Sequence, residues 1–251
     1  MKFDKNRYVS ELIMRREPVR DLYLNDLPVV MYLKEKRSIK FNSPITMFVG
    51  ENGTGKSTLV EAIAVCAGFN AEGGSKNFAF STNSTHSELC ECISLSRHNR
   101  PRDGFFLRAE SFYNVATDID KRDSEPSLDP PIIEGYGGIS LHRQSHGESF
   151  MAVVGNRFFG NGLYILDEPE AALSPMRLMS LIVAINELVK KNSQFIISTH
   201  SPMLMSIPGA DIYHLSDEGI ELVNYRDTEH YQITRRFLEN PEKMLSYLLK
   251  D

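Results

Sequence analysis

The segment PITMFVGENGTGKSTLVEAIAVCAG, residues 44–68, decides the fold of this chain. Its first residues, 44–49, are mostly apolar and predict a buried strand, and a glycine-rich turn follows directly. The spacing then predicts a helix from Lys56 to about Ala67, with Gly68 as its stop. A strand, a glycine-rich turn and a helix in this order predict a loop that can surround phosphate oxygens.

Residues 50–57 match the pattern of a phosphate-binding P-loop, with the glycines and the Lys-Ser pair in place. Glycines let backbone N–H groups approach a phosphate closely, and the start of the helix adds its positive dipole end. We expect Lys56 to reach the β- and γ-phosphates of a nucleotide and the Ser57 hydroxyl to ligate Mg²⁺. The alternative is a glycine-rich turn that merely begins a helix. The predicted nucleotide-binding residues here are Gly50, Glu51, Asn52, Gly53, Thr54, Gly55, Lys56, Ser57 and Thr58.

A second apolar strand, residues 163–166, runs directly into Asp167 and Glu168. Sheets of the α/β class bind their ligands at the carboxyl ends of strands, where these two acids are expected. Asp167 would hold Mg²⁺, through a water molecule, and Glu168 would polarise an attacking water. Taken alone, such a pair could equally be acids that start a turn. Together with the P-loop, it predicts the second half of a nucleotide site.

Apolar strands that alternate with helices predict an α/β fold: a mainly parallel central sheet flanked by helices, with an antiparallel portion. We expect a single domain over 1–251, with an antiparallel and loop-rich insertion at roughly 69–138 and a C-terminal hairpin and helices at 210–251. Within this frame, residues 28–33 and 38–41 are read as extended, and 116–138 as an exposed connection.

Composition excludes several classes of protein. The 251 residues are 41% hydrophobic, yet no run approaches the ~20 apolar residues of a membrane span, and the N-terminus lacks the apolar core of a signal peptide. Three cysteines make no disulfide framework, so a cytoplasmic location is expected. The net charge of −5 argues mildly against a dedicated nucleic-acid binder.

Five motifs in order resemble those of the ABC-type ATPases, and more closely the compact soluble ATPases related to the RecF, SMC and OLD groups. The P-loop comes first, followed by SHGES at 145–149, which resembles the ABC signature. LDEP at 166–169, ALSP at 172–175 in the place of the D-loop, and STHSP at 198–202 as the switch-histidine segment complete the set. The resemblance implies a P-loop NTPase fold of ABC type, ATP and Mg²⁺ as ligands, and ATP hydrolysis.

The resemblance also implies roles for residues outside the P-loop. Ser145, Gly147 and Glu148 of the signature would close over the nucleotide of a second subunit, and His200 would contact the γ-phosphate beside the attacking water. Transporters of this class carry a Gln before the signature, and this chain has none in the corresponding segment, residues 105–111. Glu110 is the first candidate to replace it, at Mg²⁺ or the water, and Arg108 is the second.

Three functions remain open on the sequence. The first is a soluble ATPase whose ATP-driven homodimerisation operates a partner protein or a nucleic-acid process, as in repair or phage defence. The second is the nucleotide-binding subunit of a membrane transporter, which the absent Gln and the SHGES signature disfavour. The third is a nucleotide switch with negligible turnover, which Glu168 disfavours because it supplies a group for hydrolysis.

Three further features of the sequence could have a function: a possible zinc site, two tyrosines and several basic groups. His86, Cys90 and Cys92 could hold zinc, but only three ligands are visible. Tyr23 and Tyr32 could stack on adenine, although core packing is expected for both. Basic groups could form a DNA-binding face but are expected to be solvated surface charge; they lie at 15–16, 34–37 and 235–236.

Overall fold

A six-stranded sheet lies at the centre of the protein. The computed structural model describes residues 8–76, 87–126 and 129–249. The strands are β1 (Val9–Met14), β2 (Ser38–Lys40), β3 (Ile45–Gly50), β4 (Ile93–Arg97), β5 (Asp103–Arg108), β6 (Gly162–Asp167), β7 (Gln194–Ser198), β8 (Asp211–Ser216) and β9 (Gly219–Val223). The central sheet has the order β5-β6-β7-β3-β8-β9, parallel throughout except for the β8–β9 pair. This confirms the predicted α/β fold with a mainly parallel sheet.

Helices cover both faces of this sheet. They are α1 (Pro28–Lys36), α2 (Lys56–Ala67), α3 (Leu89–Cys92), α4 (Phe112–Ser124), α5 (His146–Arg157), α6 (Pro175–Lys190), α7 (Pro202–Met205), α8 (Glu229–Glu239) and α9 (Pro241–Leu248). Alternate residues of β3 face opposite sides: Met47 packs in the core with α5 and α6, and Phe48 in the core with α1 and α2. In the part of the chain that is described, no helix combines the length and the apolar character needed to cross a bilayer.

A separate antiparallel sheet has the order β2-β1-β4. Gln194, at the start of β7, connects it to the central sheet: its amide accepts hydrogen bonds from Tyr8 N at 3.0 Å and Val9 N at 2.9 Å and donates one to Val9 O at 2.8 Å. The predicted insertion supplies only β4 to this sheet, because β1 and β2 precede the P-loop and β5 joins the central sheet in parallel. Our placement of the antiparallel portion within 69–138 is therefore wrong in part.

Two segments differ from the sequence-based prediction of their structure. Residues 28–33 were expected to be extended and lie in α1 instead, with Pro28 in the first turn. Residues 116–124, which were expected to belong to an exposed connection, lie in α4 instead. In α4 the buried side chains, Phe112, Val115 and Ile119 among them, recur at helical spacing and pack against the core.

The remaining elements follow the sequence closely. Helix α2 spans the predicted residues and ends at Gly68, whose φ of +92° is the left-handed conformation expected of a helix stop. Helix α6 begins after the N-cap Ser174, and the β8–β9 hairpin turns at residues 217–218. Thr228 caps α8, and the next helix, α9, begins at Pro241.

Candidate functional site

The loop between β3 and α2 has the geometry of a P-loop. Gly50, with φ of +144°, approaches β8 so closely that a Cβ there would lie 2.2 Å from the carbonyl oxygen of Leu215. Gly55, with φ of +91°, leaves only 2.5 Å between the position of a Cβ and Cγ1 of Val29 on α1. Both positions require glycine, so the loop is fixed between β8 on one side and α1 on the other.

Lys56 folds back over this loop. Its Nζ donates hydrogen bonds to the carbonyl oxygens of Gly50 and Glu51, each at 2.8 Å, and the residue is 4% exposed. Burial lowers the pKa of the ammonium group, and the carboxylates of Glu168 and Asp167 oppose that effect. A buried cation held by neutral carbonyl oxygens can exchange those partners for phosphate oxygens, which bind it more strongly.

Asp167, the last residue of β6, is the most enclosed acid of the site, at 3% exposed. Its carboxylate accepts a hydrogen bond from Ser198 Oγ and lies 3.2 Å from Nε of Arg108. Burial raises its pKa, and hydrogen bonds from Ser198 and Ser57 and the charge of Arg108 act in the opposite direction. The structure thus brings together Ser57 and Asp167, an alcohol and a carboxylate that suit Mg²⁺.

Glu168 follows in an unusual backbone conformation, φ +49° and ψ +54°. Its N–H donates to the carbonyl oxygen of Ser198 at 3.1 Å, which fixes the turn at the strand end. Its carboxylate is about one-third exposed, and one oxygen lies 3.4 Å from Nε2 of His200. Glu168 and His200, predicted from separate motifs, are therefore neighbours.

Glu170 holds the segment that carries His200. One oxygen of its carboxylate accepts hydrogen bonds from the backbone N–H of His200 and from Thr199 Oγ1, the latter at 2.9 Å. The other oxygen is buried without a hydrogen-bond partner among the described residues, and burial raises the pKa of the group. Glu170 was not predicted from the sequence; the available signal was a third acid placed just after Asp167-Glu168-Pro169.

Comparisons with known proteins agree with this geometry. Residues 29–123, which include the P-loop, match the model of a family described as an AAA domain. Residues 139–206, which include Asp167, Glu168 and His200, match a family described as "AAA domain, putative AbiEii toxin, Type IV TA system". A solved structure, an ATP-binding cassette of an ABC transporter, superposes with a TM-score of 0.52 at 14% identity, covering 96% of this chain and 98% of that one. Both matched families are thus described as AAA domains, and the fold is that of an ABC-type P-loop cassette.

Two further solved structures are more distant from this chain. CbiO1 of Clostridium perfringens, part of an ABC transporter complex, has a TM-score of 0.49 at 15% identity, with 94% of this chain and 97% of that one covered. The SMC head domain from Thermotoga maritima has a TM-score of 0.46 at 13% identity, with 86% and 98% covered. No functionally curated protein matches the chain. The fold assignment rests on the transporter cassette above.

Arg108, the last residue of β5, was the second candidate for the place of the transporter Gln. Its guanidinium contacts Glu61 on α2 at 2.7 Å and Asp167 at 3.2 Å. Glu110, the residue preferred by the sequence analysis, is 81% exposed on its side chain and approaches only Arg108, at 3.8 Å, in the described structure. The geometry favours Arg108 as the residue that acts on Asp167, so Glu110 as a magnesium ligand stays a prediction that no contact supports.

The signature segment begins α5. Ser145 is the N-cap, its hydroxyl and backbone N–H both donate to the carboxylate of Glu148, at 2.7 and 3.0 Å, and Glu148 also pairs with Arg177 at 3.2 Å. Gly147 lies against Ala172 of the predicted D-loop, where a Cβ would be 3.0 Å from the carbonyl oxygen. Among the described residues, no hydrogen bond or ion pair joins Ser145, Gly147 or Glu148 to the P-loop.

Among the described residues, the remaining candidates form no second site. Cys90 and Cys92 lie on α3, His86 lies outside the described residues, and the described part of the chain contains no cluster of three metal-binding side chains. Tyr23 is 60% exposed, so the expectation of core packing is wrong for it, whereas Tyr32 does pack against the core.

The basic groups proposed as a DNA-binding face are largely paired with acids. Arg16 contacts Glu91 at 2.9 Å, and Arg235 contacts Glu239 at 2.7 Å. Lys34 and Lys36 also have carboxylate partners, Glu17 and Glu35. Such pairs reduce the positive potential that a nucleic acid would meet, in agreement with ordinary surface charge.

Proposed function

We propose that this ABC-like ATPase binds ATP with Mg²⁺ and hydrolyses it to ADP and phosphate. One observation carries the proposal: five groups expected to act on a nucleotide meet at the carboxyl ends of the adjacent strands β6, β7 and β3. They are Lys56, Ser57, Asp167, Glu168 and His200. Parallel sheets bind ligands at this edge, and the convergence is unexplained by packing alone.

Each group has a role that follows from its chemistry. The backbone of residues 50–58 and the ammonium group of Lys56 would hold the β- and γ-phosphates. Ser57 and Asp167 would hold Mg²⁺, which when bound neutralises phosphate charge, and the raised pKa of the buried Asp167 fits a site that a cation completes.

The reaction itself needs a base beside the γ-phosphate. A water oxygen attacks the γ-phosphorus, the bond from that phosphorus to the β–γ bridging oxygen breaks, and ADP leaves with the electron pair. Glu168 would accept the proton of the water, and His200, held beside it, would orient the water and the γ-phosphate. The contact between Glu168 and His200 supports turnover over a nucleotide switch.

We further propose that ATP joins two chains and that the change of assembly operates a partner protein or a nucleic-acid process. Ser145, Gly147 and Glu148 of one chain would complete the nucleotide site of the other. The alternative, a subunit that works with a membrane permease, is favoured by no specific contact, and Arg108 in place of Gln speaks against it.

ATP binding and phosphate release by the purified protein test the proposal. Lys56→Ala should abolish both, because the buried ammonium group is the main phosphate ligand, while Lys40→Ala, which removes an exposed lysine on β2, should change neither. Fluorescent-nucleotide titration and a phosphate assay give the two readouts. Unchanged phosphate release by Lys56→Ala would place the activity elsewhere.

A further inference from the structure

His200 contacts a histidine that belongs to none of the five motifs. Its Nδ1 lies 3.0 Å from Nε2 of His230, in the first turn of α8, while its Nε2 faces the Glu168 carboxylate at 3.4 Å. The side chains of Glu168, His200 and His230 therefore form a row, in which His200 is the middle member. Two residues in this row come from strand ends and the third from the C-terminal helices.

The protons of this row have two arrangements when both histidines are neutral. In the first, His200 donates from Nδ1 to His230. Its Nε2 then carries a bare lone pair toward the Glu168 carboxylate, which is repulsive. His230 would also need its proton on Nδ1, a buried atom with no hydrogen-bond partner among the described residues. A buried N–H donor without an acceptor is energetically unfavourable.

The second arrangement avoids both penalties. His230 donates from Nε2 to Nδ1 of His200, and His200 carries its proton on Nε2, where Glu168 can accept it. The buried Nδ1 of His230 is then a bare imine nitrogen, which needs no acceptor. Burial lowers the pKa of the His230 ring, which favours the neutral form that this arrangement requires.

We propose that His230 is a positioning residue for ATP hydrolysis: its Nε2–H donates to Nδ1 of His200 and so holds the His200 proton on Nε2, the nitrogen that faces Glu168. The inference rests on the proposed function for its kinetic consequence, but the hydrogen bond itself exists without nucleotide. It extends the active site to α8, whose N-cap Thr228 is buried and fixes where the helix begins.

The position of the His200 proton is measurable directly. In nucleotide-free protein labelled at histidine nitrogens, a long-range ¹H–¹⁵N spectrum distinguishes a protonated from a bare ring nitrogen, and His200→Gln assigns the signals. The wild type should show His200 protonated on Nε2. His230→Leu should lose that preference, and His230→Gln, whose side-chain amide can donate from a similar position, should keep it.

Kinetics give the second readout. His230→Leu should lower kcat for ATP about 10- to 100-fold, the usual effect of removing a group that orients a ligand or base. The KM for ATP should change less than about twofold, because no ground-state contact to the nucleotide is lost. His230→Gln should recover most of the rate, and His98→Leu, at an exposed histidine in the turn after β4, serves as the control.

The outcomes separate this inference from the function on which it rests. A wild-type His200 protonated on Nδ1, or a tautomer unaffected by His230→Leu, overturns the positioning role whatever the activity. Equal rates for the folded Leu and Gln variants, both below wild type, would mean a packing role only. Absence of ATP turnover in the wild type would overturn the proposed function, and the spectrum would still decide the hydrogen bond.

Discussion

At the scale of single residues, Glu168 combines strain with exposure. Its left-handed backbone conformation costs about 1–2 kcal/mol for a residue with a Cβ. The conformation is held by the hydrogen bond from its N–H to Ser198 and places the carboxylate beside His200. Backbone strain at a partly exposed, charged residue does not stabilise the fold. It therefore indicates that Glu168 is placed there for function.

We therefore expect Glu168→Gln to separate binding from turnover. The amide keeps the size of the side chain but cannot accept the proton of water, so kcat should fall about 10²-fold or more while ATP still binds. Nucleotide titration and single-turnover kinetics measure the two effects, with Glu187→Gln, an exposed acid on α6, as the control. If Glu168→Gln lost binding as completely as Lys56→Ala, Glu168 would not be the base.

Glu170 gives a pH test of the same region. Its pKa is raised by burial above the ordinary 4.5, so the folded state holds this proton more tightly than the unfolded state. The contribution of Glu170 to the free energy of unfolding is therefore greatest at low pH, and it decreases as pH rises through the raised pKa. Glu170→Gln has no proton to lose, so its free energy of unfolding relative to wild type should increase as pH rises from about 4.5 to 7.

Urea unfolding at several pH values checks this expectation. The raised pKa of Asp167 acts in the same direction but is present in both proteins, so to first order it cancels in the difference. A difference that stays constant with pH would show that the Glu170 carboxyl titrates normally and would remove the burial argument.

At the scale of elements, helix α1 shows where pattern reading fails. The segment PVVMYL has the β-branched and aromatic residues of a strand, and it is helical because Val29, Val30 and Leu33 bury one face of a helix against the core. Packing of that face outweighs local propensity. The P-loop strand and α2 were predictable because their own sequence carries both the apolar pattern and the glycine stops.

The contact between α1 and the P-loop leads to a matched pair of substitutions. Gly53 and Gly55 both have φ near +90°, but a Cβ at Gly53 meets nothing within 4 Å, whereas at Gly55 it meets Val29 at 2.5 Å. Gly53→Ala should cost about 1–2 kcal/mol from backbone strain alone. Gly55→Ala should cost about 1–3 kcal/mol more, because the buried Val29 cannot move away freely.

Chemical denaturation of the nucleotide-free variants measures this difference. Equal losses for the two glycines would mean that α1 is free to shift and does not fix the loop. A greater loss at Gly55, accompanied by weaker ATP binding, would show that α1 helps to hold the phosphate loop in place.

At the scale of the whole molecule, the site residues that could be predicted are those that lie in contiguous sequence motifs. The sequence shows an apolar strand pattern at or just before each of four site residues, Lys56, Asp167, Glu168 and His200. Parallel pairing of these strands then brings the four side chains together. His230 could not be found in this way, because it reaches His200 only through the packing of α8. Arg108 was ambiguous with Glu110, because residues two apart lie on the same face of a strand and the sequence does not show that β5 ends at Arg108.

The last prediction concerns assembly. Within one chain the signature residues Ser145 and Glu148 form hydrogen bonds with each other. In the described structure no hydrogen bond or ion pair connects them to the P-loop. The proposed dimer predicts that ATP brings two chains together head to tail, with the Ser145 hydroxyl exchanging Glu148 for a phosphate. Glu168→Gln with ATP and Mg²⁺ should accumulate the dimer, because hydrolysis normally separates it.

Ser145→Arg should block both the dimer and turnover while the monomer still binds ATP, because bulk and positive charge obstruct the seam between the two chains. Ser246→Arg, which places the same side chain on the exposed face of α9, should leave both unchanged. Light scattering on the Glu168→Gln protein at saturating ATP is decisive. A strictly monomeric mass there, or full ATPase activity of Ser145→Arg, would mean that each chain completes its own site, and the signature would need another role.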